Sequence, residues 1–182
     1  MDTTTIMILA VIVVVIVGAI AWMMMQRRSE ELRKRFGPEY DRVISERGDA
    51  RQAESELAAR QRRVDKFDIH PIDPAERNQF IDAWRATQAR FVDAPADAIK
   101  DADRLVSEVM RARGYPVGDF DQRAADVSVD HPIVVENYRA ARAIAVANQR
   151  GDASTEDLRQ AIVHYRALFE DLLETREREV AQ

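Results

Sequence analysis

The residues able to do chemistry in this chain are few, and their spacing decides what they can do. Cysteine is absent, which removes disulfide frameworks, thiolate metal sites and cysteine nucleophiles. Any metal would have to be held by histidine and carboxylates. The three histidines, His70, His131 and His164, include no pair at the i, i+4 spacing that sets two imidazoles on one helical face, so a zinc site would have to be assembled at long range. The densest cluster is "DVSVDHPIVVENYRAAR", Asp126 to Arg142, which places Asp126, Asp130 and His131 just ahead of Pro132. Two readings compete there. A histidine among carboxylates can act as a general base or metal ligand, but it needs a third convergent group, and the sequence offers none. Proline fits the first position of a helix and pushes the residue before it out of helical geometry, so His131 or Asp130 is expected to cap the N-terminus of a helix starting at Pro132.

The remaining candidates read similarly. His70 lies between Asp68 and Asp73 beside Pro71 and Pro74, the composition of a connector. His164 shares a helical face with Gln160 and Asp171, opposite Leu158, Ile162 and Phe169, and is expected in solvent. Arg77, Gln88 and Asn137 project onto apolar faces; they either bond one another and nearby backbone to fix helix register, the preferred reading, or bind a small polar ligand. No glycine-rich phosphate loop or nucleophile elbow occurs. No catalytic, cofactor-binding or metal-ligating residue is therefore assigned, no cofactor is expected, and an enzyme is not the expected class.

The elements that must position these residues are helical. "IMILAVIVVVIVGAIAWMMM", Ile6 to Met25, is uncharged and almost wholly apolar; at about 1.5 Å per residue a helix of this length covers the roughly 30 Å of a bilayer core. A transmembrane anchor over residues 1–26 is expected. No Lys or Arg precedes the run and Trp22–Met25 extend it past the small residues at Ala19 and Ala21, which argues against a cleaved signal peptide. Arg27, Arg28, Arg33, Lys34 and Arg35 follow it, so the positive-inside rule places the C-terminal body in the cytoplasm, with Trp22 as an interfacial anchor. Residues 27–66 read as a basic helical stalk broken at Gly37 and Pro38, with a stripe of Ala53, Leu57 and Val64 too short for a confident coiled coil.

Residues 67–182 read as an acidic body. Asp73 and Pro74 start one helix with Phe80, Ile81, Trp84, Phe91 and Val92 on one face. Ile99, Ala102, Leu105, Val106, Val109 and Met110 line the next, which ends at Gly114. Asp119 caps a short helix through Asp126. Ser154 and Asp157 approximate a capping box ahead of Leu158, Ile162, Tyr165, Phe169 and Leu172. The expected fold class is all-α: an N-terminal transmembrane helix, a helical stalk and an antiparallel bundle of about four long helices.

The net charge of −5, with carboxylates interrupting every basic run of the body, argues against nucleic acid as a partner. The segments "WRATQARFVDAPADAIKDADRLVSEVMRARGYP", "FDQRAADVSVDHPIVVENYRAARAI" and "TEDLRQAIVHYRALFEDLL" resemble an uncharacterised family of bacterial single-pass membrane-associated helical proteins. The resemblance covers about the last two-thirds of the chain and implies bacterial origin. So does the basic composition, with only Lys34, Lys66 and Lys100 among 27 basic residues, the bias of a GC-rich genome. It brings no activity. The expected role is a membrane-anchored interaction or scaffold module in the cell envelope, partnered by the lipid bilayer and by a protein. The alternative is a ligand-binding or sensing bundle using Arg77, Gln88 and Asn137.

Overall fold

Proline, glycine and short polar caps set the boundaries of the helices. The structure is a computed structural model that describes the backbone of residues 3–180 and, within it, all side chains except those of 3–6, 8–11, 14, 21 and 174–180. α1 (Thr3–Phe36) ends where Gly37 adopts a φ of 46°, open to glycine at little cost, and Pro38 takes the first position of α2 (Pro38–Arg47). α3 follows (Ala50–Val64). α4 (Pro74–Asp93) starts at Asp73, whose carboxylate accepts from the Ala75 N–H at 2.8 Å. Ala94 alone separates α4 from α5 (Pro95–Ala112). Asp119 caps α6 (Phe120–Asp130) by accepting from Gln122 N–H at 3.0 Å. α7 (Val135–Arg150) and α8 (Thr155–Val180) complete the chain. Before α8, the Asp157 carboxylate accepts from the Ser154 N–H at 2.8 Å and the Ser154 hydroxyl accepts from the Asp157 N–H at 3.2 Å, the reciprocal box expected there. Every regular element among the described residues is helical.

The chain divides into two units, Met1–Leu57 and Ala58–Gln182, the boundary falling within α3. In the first unit Leu32, Phe36, Tyr40, Val43, Ala53 and Leu57 are buried. Glu54 joins its helices, accepting from the Ser29 hydroxyl at 2.5 Å and the Tyr40 hydroxyl at 2.8 Å. Glu39, 0% exposed, receives both Nε and Nη2 of Arg42 at 2.9 Å; this bidentate pairing is what makes a buried carboxylate tolerable.

In the second unit the apolar stripes close on one another as a helical bundle. The whole stripe from Ile99 to Met110 on α5 is buried, as are Leu158, Tyr165, Phe169 and Leu172 on α8. Named contacts give the directions. Trp84 stacks on Phe169, and Arg77 lies by Leu173, so α4 and α8 run antiparallel. Asp103 meets Arg142, and Ala96 meets Asn148, so α5 and α7 do the same. α5 and α8 run parallel, with Asp103 beside Tyr165 and Arg113 beside Leu172. α4 with α5 and α7 with α8 are thus antiparallel, while α5 and α8 pack closely side by side in parallel.

Four local expectations are corrected. The short helix does not stop at Asp126: α6 continues to Asp130, and Pro132 ends it rather than starting the next, because proline excludes His131 (φ −125°, ψ 52°) from helical geometry. α7 begins only at Val135, its first turn prepared by the His131 carbonyl, which accepts from the Val134 and Val135 N–H groups. Val92, placed on the apolar face of α4, is 81% exposed, whereas Phe80, Ile81 and Phe91 pack against the core. His164 is half-buried rather than solvated.

Among the described residues no helix is long and apolar enough to cross a membrane. The anchor expected at Ile6–Met25 falls within α1, and the side chains of Ile6, Ile8, Leu9, Ala10, Val11, Val14 and Ala21 lie outside the described residues.

Candidate functional site

The end of α6 turns the opening cluster into a buried joint. His131 is 3% exposed, and its Nδ1 donates to Oδ2 of Asp171 on α8 at 2.5 Å. A residue expected to cap a helix on the surface therefore tethers two helices in the interior. Asp130 also avoids the expected capping role: its carboxylate accepts from the Tyr115 hydroxyl at 2.8 Å. Burial, followed by the Asp130 charge, pushes the Tyr115 phenol far above its ordinary range, so it serves as a hydrogen-bond donor at any physiological pH. Asp126 is 1% exposed and points elsewhere, to Gln122 Nε2 at 2.8 Å and Arg63 Nε at 3.2 Å. Burial raises its carboxyl above the usual range, opposed by the Gln122 bond and by Arg63 and Arg60. The three members of the cluster thus diverge to different partners. No group of three or more histidines and carboxylates suited to a metal ion occurs among the described residues.

His164 and Asn137, singled out separately in the sequence, meet: His164 Nδ1 lies 2.9 Å from Asn137 Oδ1, joining α7 to α8. A second polar joint crosses the middle of the bundle, where Asp103 accepts from the Tyr165 hydroxyl at 2.9 Å and from Arg142 Nη1 at 3.0 Å. His70 remains exposed, its ring nitrogen 2.8 Å from the Asp68 carbonyl. It belongs to the 68–73 connector, as expected.

Accessible chemistry concentrates instead along α4 where it faces α8. A cleft of about 350 Å3 is lined by Arg77, Ile81, Trp84, Arg85, Gln88, Arg166, Phe169, Glu170 and Leu173. Its floor is the Trp84–Phe169 stack, with centroids 4.7 Å apart and an interplanar angle of 19°. Its rim is charged, though Arg85 is paired with Asp82 at 3.0 Å and Arg166 with Glu170 at 2.7 Å. Arg77 and Leu173 also line a smaller cavity of about 180 Å3 with Pro71, Ile72, Pro74, Asn78 and Arg113. The structure therefore brings Arg77 and Gln88 to one cleft and leaves Asn137 out of it.

Two residues of this region were missed in the sequence. Trp84 was read only as core, yet its indole Nε1 is buried without a protein partner among the described residues. Arg113 was not singled out at all, although it follows Val109 and Met110 by four and three residues and so continues the buried stripe of α5. An arginine in register with an apolar stripe was the available signal.

No family model matches the chain, and neither a curated protein nor a solved structure is significantly similar to it.

Proposed function

We propose that the protein is a membrane-anchored helical interaction module of a bacterial cell envelope, its bundle held in the cytoplasm to dock a protein partner. The observation that carries this reading is the uncharged apolar run Ile6–Met25, which lies in one continuous helix and whose described members, among them Ile12, Val13, Ile16, Val17, Ile20 and Trp22, stay exposed. So large an apolar surface on a helix calls for cover, and lipid matches its length. The basic residues from Arg27 to Arg35 follow it directly and support a cytoplasmic body.

Fractionation and topology reporters test both halves of the reading. The full chain is expected to stay with membranes after alkaline carbonate washing, and a phosphatase fused to the C-terminus is expected to be inactive. Recovery in the soluble fraction would remove the anchor, and an active fusion would reverse its orientation. Mild crosslinking in membranes is expected to recover a stoichiometric protein partner. A second reading, a ligand-binding bundle, is favoured by the convergence of Arg77 and Gln88 on the cleft floored by Trp84 and Phe169. A retained small molecule in place of a partner would support it.

A further inference from the structure

Arg113 is 3% exposed, yet no carboxylate among the described residues bonds to it. Its Nη1 donates to the Leu172 carbonyl at 2.7 Å, and its Nε has no partner among the described residues. A backbone carbonyl satisfies one donor of five but does not neutralise a charge, and a buried unpaired charge is costly. Arg77 reaches the next carbonyl along α8, with Nε 3.4 Å from Leu173 O, and likewise has no bonded carboxylate among the described residues. Two guanidiniums are thus fastened to consecutive carbonyls, where their like charges repel. Both line the same cavity of about 180 Å3, which has no Asp or Glu among the described residues that line it.

We propose that this cavity binds a small organic carboxylate, its two oxygens held by Arg113 and Arg77 and its carbon chain laid against Pro71, Ile72, Pro74 and Leu173. One anion relieves both the unpaired charge and the repulsion, and a guanidinium presents parallel N–H groups that match a planar carboxylate. The wall decides the class. Beyond the two arginines the described lining offers one amide, Asn78, and is otherwise apolar, which suits an anion with a hydrocarbon body, whereas the further oxygens of a phosphate would lie mostly against apolar surface. The nearby carboxylates are engaged elsewhere, Asp171 by His131 and Asp130 by Tyr115. The inference is independent of the membrane anchor.

The test uses the full chain, with thermal unfolding and calorimetric titration against acetate, butyrate, hexanoate and inorganic phosphate at constant ionic strength, with chloride as the control. Butyrate or hexanoate is expected to raise the melting temperature saturably, as a ligand of the native state must. Arg77→Met is expected to weaken that affinity about tenfold or more, in line with the loss of one charge-assisted contact. Arg113→Met is expected to abolish the response; should that variant fail to fold, Arg77→Met decides alone. The proposal is overturned by the absence of a saturable response to every carboxylate, or by an unchanged response in Arg77→Met. Phosphate binding as tightly as the best carboxylate would overturn the assigned class.

Discussion

The middle of the bundle and the end where α5, α6 and α8 meet are both buried, but they are held by different forces. In the middle, Phe120, Tyr138 and Tyr165 form a chain of ring contacts with centroids 4.9 and 6.5 Å apart, and Trp84 stacks on Phe169. Stabilisation there is mostly apolar area, with Asp103 satisfying the Tyr165 hydroxyl. At the end, His131–Asp171, Tyr115–Asp130 and Arg113–Leu172 O replace area with directed bonds. Area tolerates small displacements, whereas a buried donor that loses its acceptor incurs its full desolvation cost. The middle should therefore dominate stability, and the end should dominate geometric precision.

The largest effect that can break this contrast is Tyr138→Ala. The ring is 0% exposed, and its removal is expected to cost about 3 to 5 kcal/mol, measured by denaturant unfolding followed through Trp84 emission in a Trp22→Phe background. A cost below that of the end substitutions would invert the ranking. Next is Gly114→Ala. Gly114 has φ +94°, and a Cβ there would lie 2.1 Å from the Asp68 carbonyl oxygen, so strain and overlap are expected to cost on the order of 3 kcal/mol. A smaller loss, about 1 to 3 kcal/mol, is expected for His131→Asn, which cannot reproduce the imidazole reach to Asp171. A residue that merely capped a helix would tolerate asparagine nearly without loss, so an unchanged midpoint would restore the capping role.

The smallest effect is expected at Asp126. Burial raises its carboxyl in the folded state, so the folded protein holds that proton more tightly than the unfolded chain. Its contribution is greatest below the ordinary carboxylate range and is lost as pH rises through the raised value. Asp126→Asn is expected to shift neutral-pH stability by less than about 1 kcal/mol and to flatten the pH dependence just above pH ~4. A stability that instead rises with pH through that range in the wild type, and not in the variant, would show that the Arg63 pairing outweighs burial.

The same contrast separates what could be read from the sequence from what could not. Helical periodicity reports which face is buried, and it identified Ile99 to Met110 and the Tyr165 and Phe169 stripe because area is summed over a local repeat. The caps at Asp73, Asp119 and Ser154 were legible for the same reason, since donor and acceptor lie within one turn. The joints at the end of the bundle are pairwise and distant. Nothing within reach of His131 in sequence names Asp171, 40 residues on, and nothing near Arg113 names the carbonyl of Leu172, 59 residues on. Pro132, expected to start a helix, instead follows the end of one, because local rules do not say on which side of a proline the helix lies.

The single residue between α4 and α5 also bears on the order of assembly. With only Ala94 between them, α4 and α5 close on each other at almost no loop entropy, and they can do so as soon as both leave the ribosome. The face of α4 that covers α8 has no such advantage, since Arg77 and Leu173 are 96 residues apart. Trp84 must wait until α8 is made before Phe169 arrives, so in that interval the nascent α4–α5 hairpin exposes an aromatic surface, a target for a chaperone and a hazard without one.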